Sequence, residues 1–180
     1  MPRRKARRSV SSKLEANLQG RKQMTRLTIL LVAATAALSI SAQSADVTAT
    51  KPNTYAQKLV DQELAKHPEI VILVFHVINK DASDYPIIAS NIGRYGKKAD
   101  EDDLRTIHTG KPNLEVNATG TRFEVEMALH DGSKKTIGAI AVVYNYKNGG
   151  DKEALHQKAE QVRTEVEKQI SSLDKLNGPA

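Results

Sequence analysis

The chain has 180 residues and no cysteine, so a structural disulfide, a thiolate nucleophile and a cysteine-bound zinc are all excluded. Its formal charge of +6 is gathered at one end. Nine of the 27 Lys and Arg residues, but one of the 21 acidic ones, precede Leu27, which leaves 18 basic and 20 acidic side chains from residue 46 onward. A net charge of −2 there gives a folded domain no basic face for nucleic acid.

Residues 1–45 read as a basic extension followed by a secretory signal peptide. Arg26 stands before LTILLVAATAALSI, Leu27 to Ile40, an apolar run without charge. Ser39, Ser41, Ala42, Ser44 and Ala45 supply the small residues that a signal peptidase accepts. The run is shorter than the ~20 residues of a comfortable membrane span. Cleavage is therefore expected between Ala42 and Asp46, leaving no stable span and a periplasmic or secreted protein; a retained anchor is the other reading. Met24 opens a more ordinary signal and is an alternative start to Met1.

Residues 46–150 are expected to form one domain. Asn53 is the expected N-cap of a helix over 54–67, where Ala56, Leu59, Val60, Leu64 and Ala65 recur at helical spacing and Pro68 stops the run. Ile70 to Ile78 is a continuous apolar, β-branched strand interrupted by His76, which reads as a hydrogen-bonded core residue. The turn-like Asn79 to Asp84 joins it to a second strand over 85–90, so the pair forms a hairpin. A loop with Gly93 and Gly96 follows, then a helix started by the acidic run Asp100 to Asp103 and stopped at Gly110. A short strand is expected from Asn113. Thr121 to His130 then alternates strictly, with Phe123, Val125, Met127 and Leu129 on one face and Arg122, Glu124, Glu126 and His130 on the other. Asp131 to Lys134 makes a turn into a last strand, Thr136 to Tyr146, whose Gly138 and Ala139 allow close backbone approach.

Residues 151–180 are expected to be one long C-terminal helix capped by Asp151, packing on the domain or on a partner. Leu155, Val162 and Leu176 share one heptad position with the polar Gln169; Ala159, Val166 and Leu173 share a second. Ordinary amphipathic packing explains this seam, and a homodimer through it is the alternative. Residues 177–180 are expected to fray. The fold class is α+β with an antiparallel sheet.

The blocks Ile88-Ala89-Ser90-Asn91, Arg94-Tyr95-Gly96-Lys97, Gly110-Lys111, and Leu129-His130-Asp131-Gly132 through Ile137-Gly138-Ala139-Ile140 resemble, in their order and spacing, the extracytoplasmic PAS-like sensor domains of the Cache type found in citrate- and fumarate-sensing histidine kinases. The resemblance covers roughly residues 55–146. It implies a PAS-like/Cache fold: a five-stranded antiparallel sheet, a long N-terminal helix, and a ligand pocket between the sheet and the central connection. It also implies a role in signal transduction. The chain departs from the carboxylate sensors in three places. Asn91 stands where a histidine usually follows the serine, Ile87, Ile88 and Ala89 stand where an arginine is expected, and Glu124 lies near the position of a second arginine. A buried dianion needs paired cations, so a di- or tricarboxylate is disfavoured, and a neutral ligand, an amine or an amino acid paired with Glu124, or none, fits better. With no transmembrane stretch after the domain, the expectation is a free-standing sensor-like protein that binds a small molecule or a membrane signalling protein.

Arg94, Lys97, His108, Arg122 and Glu124 are the expected ligand-binding residues. Gly93 to Lys98 lacks the spacing and the Ser or Thr of a phosphate loop. The acidic run lacks the spaced ligands of a calcium loop, and none of the five histidines forms a close metal-binding pair. Ser90 and Ser133 have no nucleophile-elbow context. No cofactor, no metal and no enzymatic activity are therefore expected.

Overall fold

The computed structural model describes residues 50–180. The basic extension, the signal peptide and the cleavage site expected in 1–45 lie outside the described residues. Among the described residues, no helix is long and apolar enough to cross a membrane.

The elements run α1 (Tyr55–Lys66), β1 (Ile70–Val77), β2 (Ile87–Ser90), α2 (Glu101–Thr109), β3 (Asn113–Val116), β4 (Arg122–His130), β5 (Thr136–Asn145), α3 (Lys152–Glu167) and α4 (Leu173–Asn177). The five strands form one antiparallel sheet in the order β2-β1-β5-β4-β3. This is the mixed α/β class with the five-stranded antiparallel sheet expected from the sequence. The continuous apolar strands β1 and β5 lie at the centre, side by side, which explains why neither shows an alternating pattern.

One sheet face is covered by helices. Leu73, Phe75 and Val77 of β1, Phe123, Val125, Met127 and Leu129 of β4, and Ile140, Val142 and Tyr144 of β5 pack against Ala56, Leu59 and Val60 of α1 and Ala159, Val162 and Val166 of α3. Full burial of each large aliphatic or aromatic side chain contributes about 1.5–3 kcal/mol. The heptad seam joins this layer: Ala159, Val162, Val166 and Leu176 are buried in the same cluster, and the partly buried Leu155 and Leu173 pack against it. The C-terminal segment is two helices rather than one. The run ends near Lys168, and Ser172, its side chain accepting from the Lys175 N–H, caps a new turn.

Two local expectations are corrected. The N-cap of α1 is Thr54, whose hydroxyl accepts from the Gln57 N–H at 3.3 Å, and not Asn53. The terminal residues are tied down rather than frayed, since the Gly178 carbonyl accepts from the Tyr55 N–H at 2.9 Å and Pro179 bridges to Thr54. Elsewhere the local signals act as read. Asp100 and Asp103 form a reciprocal capping box at the start of α2, Gly110 ends it in the left-handed region, and Asp151 caps α3. A Cβ on Gly138 would sit 1.9 Å from the His76 carbonyl oxygen, so β1 and β5 approach there closer than any side chain allows.

The opposite sheet face carries α2 and the loop 91–99. Val74, Ile87 and Ala141 form a small second cluster with Ile72 and Tyr95. This face also carries His76, Glu124 and Glu126, and it holds the candidate site.

Candidate functional site

The register of the sheet decides which polar side chains meet. Glu126 pairs with Ala141 and Glu124 with Val143 across β4 and β5, and Ala139 pairs with His76 across β5 and β1. Glu124, Glu126 and His76 therefore share one face, separated by small or β-branched residues of β5. Over this face α2 brings Asp103, held in place by its capping role: its Oδ2 accepts from the Asp100 N–H at 2.8 Å.

His76 is 5% exposed and Glu126 is 2% exposed. The His76 Nδ1 lies 3.0 Å from the Tyr85 carbonyl oxygen, which only accepts, so Nδ1 carries the hydrogen. Its Nε2 faces Asp103 Oδ2 at 3.6 Å. Glu126 and Asp103 act as a carboxyl pair. Burial, then the hydrogen bond and the charge of Asp103, push Glu126 up to about 10. Burial alone would raise Asp103 too, but the hydrogen bond from Glu126, the Asp100 N–H and the nearby His76 bring it below the ordinary range. At neutral pH Glu126 holds the proton and donates it to the Asp103 carboxylate, because two adjacent buried carboxyls do not both ionise. The other Glu126 oxygen, Oε1, has no hydrogen-bond partner.

Beside this pair lies a cavity of about 210 Å³ lined by Ile72, Val74, Glu124, Asp103, Arg94 and Lys97, among others. Burial raises the Glu124 carboxyl above its ordinary value; the charges of Glu115, Asp103 and Asp100 add to the shift, and Lys97 opposes it. A second cavity of about 200 Å³ adjoins along the sheet and is lined by Arg122, Glu115 and Asn117; Ile72, Glu124 and Val143 border both cavities. A wider groove of about 560 Å³ along the start of α1 is a shallow, open surface feature away from these charges.

The structure thus brings Arg94, Lys97 and Glu124 to one cavity and places Arg122 at the next. It does not bring His108 there: that side chain is exposed on the last turn of α2, its ring edge-on to Tyr85 at 6.3 Å between centroids. Arg94 has φ of 61°, a left-handed conformation at a non-glycine residue, directly beside the cavity. Among the described residues its guanidinium makes no ion pair. Lys97 reaches Asp100 at 3.5 Å. Asn91, which replaces the sensor histidine, has a structural task. It accepts from the Leu73 N–H at 3.0 Å and donates to the Val71 carbonyl at 2.9 Å, so it extends the pairing of the β1 edge.

Sequence reasoning missed Asp103, Glu126 and His76 as one group. His76 read as a core histidine, Asp103 as helix-start charge and Glu126 as an ordinary face residue. The available signal was that two glutamates share a face on a strand whose other face is wholly apolar.

No family model matches this chain, and no curated protein matches it. Solved structures similar to it include the repressor BlcR of Agobacterium tumefaciens, at 9% identity and a TM-score of 0.46, over 65% of this chain and 67% of that one. The GAF domain of a two-component sensor histidine kinase from Bacillus halodurans is 8% identical with a TM-score of 0.45, over 63% of this chain and 91% of that one. The periplasmic domain of RsbU from Chlamydia trachomatis is 14% identical with a TM-score of 0.39, over 54% of this chain and 37% of that one. At these levels of likeness the comparisons assign neither a family nor a ligand.

Proposed function

We propose that the protein is a small-ligand-binding module of sensor type, exported from the cytoplasm, whose cavity on the α2-covered face takes an amino acid or a small amine. The separation of charge across that cavity carries the reading. Carboxyls of Asp103 and Glu124 come from the helix and the sheet, while the exposed cations Arg94 and Lys97 come from the loop at its rim. An amino acid presents the complementary pair, an ammonium for Glu124 and a carboxylate for Arg94. A volume of about 210 Å³ is below the ~300–1,000 Å³ of drug-sized pockets, so the ligand is small. The Cache-like motif order, with Glu124 near an arginine position of the carboxylate sensors, supports the same choice. The apolar run of residues 27–40 supports export, and a membrane signalling protein is the partner such a sensor would address.

Thermal unfolding of the full chain against amino acids, small amines and carboxylates tests this. A ligand at 100 times its Kd adds ~2.7 kcal/mol of stability. The expected result is a shift with an amino acid that Glu124→Gln abolishes. Arg94→Ala should weaken amino acids while leaving simple amines unaffected. No shift with any compound, or a shift that survives both substitutions, overturns the proposal.

A further inference from the structure

A second group of potential ligands lies on the other side of the sheet, between α1 and α3. Glu63 of α1 and His67, the residue that caps its C-terminus, stand four residues apart, and Glu165 of α3 faces them. One donor atom from each residue lies within 4.8 Å of the other two. Glu63 is 0% exposed. Its Oε1 is satisfied by the Lys66 ammonium at 2.7 Å and the Gln169 side-chain amide at 3.2 Å. Its Oε2 has no hydrogen-bond partner and points into the group, 3.6 Å from His67 Nε2. The same imidazole nitrogen lies 3.2 Å from Glu165 Oε2.

Two observations go beyond a chance ion-pair cluster. The first is charge. Two carboxylates face one full-time cation, Lys66, which also lies 3.8 Å from Glu165. One cation shared between two carboxylates leaves the buried Glu63 Oε2 without a hydrogen-bond partner, and such an oxygen is costly. The second is spacing. A tetrahedral zinc with bonds of about 2.0–2.1 Å sets its donor atoms about 3.3–3.4 Å apart. The two donor separations about His67 Nε2, 3.2 and 3.6 Å, straddle that value. An imidazole among the donors favours zinc and its neighbours over magnesium or calcium, which prefer oxygen alone.

We propose that Glu63, His67 and Glu165 form a divalent transition-metal site of zinc type that joins α1 to α3. The Glu63 Oε2, His67 Nε2 and Glu165 Oε2 atoms supply three ligands. His67 and Glu165 are only partly buried, which leaves the fourth position open to water. Lys66 is the competing occupant. It is half exposed on a flexible stem and withdraws when the metal enters. No histidine pair announces the site in the sequence, because the third ligand comes from 98 residues away.

Calorimetric titration of the chelator-treated full chain with zinc chloride, with magnesium chloride as control, tests the site. One zinc per chain is expected, and no magnesium. His67→Ala and Glu165→Gln should each weaken binding at least about tenfold, since even residues behind the ligands are worth that much. Lys66→Met removes the competing cation and should tighten zinc about two- to fivefold, the range of a single exposed charge pair. The tightening separates this arrangement from a merely structural network, and it does not depend on the buried Glu63 surviving substitution. Absence of zinc binding overturns the proposal, as does zinc binding that is indifferent to His67→Ala and Glu165→Gln. Failure here leaves the amino-acid cavity untouched, because it lies on the opposite face of the sheet.

Discussion

Glu126→Gln keeps a hydrogen-bond donor facing Asp103 while removing a group that titrates. The folded-state value of Glu126, about 10, stands above its ordinary 4.5. The folded protein therefore retains a proton that the unfolded chain releases above that ordinary value. The associated stability is complete at acid pH and is lost as pH climbs toward 10. At 1.4 kcal/mol per pH unit the deficit at pH 7 is ~3 kcal/mol, an order-of-magnitude figure for a buried, paired carboxyl. Glutamine has no such deficit, so the variant should be more stable than the parent at neutral pH. A second amide hydrogen left without an acceptor would take back about 1–3 kcal/mol, which makes the pH dependence the cleaner readout. Urea unfolding of both proteins from about pH 5.5 to about pH 8.5 should show the variant gaining on the parent by roughly 4 kcal/mol. A difference that stays constant over that range would refute the protonated-Glu126 assignment.

Gly138→Ala would drive a Cβ to 1.9 Å from the His76 carbonyl oxygen at the centre of the sheet. A loss of about 3 kcal/mol or more is expected in denaturant unfolding, and a loss under about 1 kcal/mol would mean the strands part without cost. Arg94→Gly relieves a left-handed non-glycine residue and should raise stability by about 1 kcal/mol, a few degrees in the melting midpoint, while weakening the amino-acid response. Lower stability in that variant would show instead that the guanidinium holds the loop in place.

The elements were legible because their signals are local. Period two in Arg122 to His130, the acidic capping box of α2 and the glycine at its end each act within a few residues. The site was legible only in part. Arg94 and Lys97 were identified on a glycine-bearing loop and Glu124 on a polar strand face that it shares with Glu126, and the fold brings the first three to one cavity. His108 was placed by its position late in α2, but a helix has several faces, and the buried ones are those of Asp103, Thr106 and Ile107. The Asp103–Glu126 pair was hidden for a related reason. Nothing in Thr121 to His130 says that α2 will cover its polar face, and without that cover Glu126 is an ordinary exposed glutamate. Asn91 shows the converse, where a position tied to ligand binding by resemblance serves the β1 backbone instead.

The two faces of the sheet answer to different demands. On the helix-covered face the strands contribute a hydrophobic cluster from Leu73 to Tyr144, whose hydroxyl is the one buried polar atom of these strand side chains left without a partner. On the α2-covered face lie three costly features, two of them, Glu124 and Arg94, lining one small cavity and the third, Glu126, paired with the Asp103 that lines it. Glu126 is buried with its proton, Glu124 is raised by desolvation among like charges, and Arg94 sits in a conformation that favours glycine. Each of the three is removable by one substitution, to glutamine, threonine or glycine, at no loss to the apolar core. Proteins carry such liabilities where a site requires them and shed them elsewhere. That Glu124 and Arg94 line the same cavity, with the Asp103 partner of Glu126 beside them, argues for a bound zwitterion more strongly than any one of the residues taken alone.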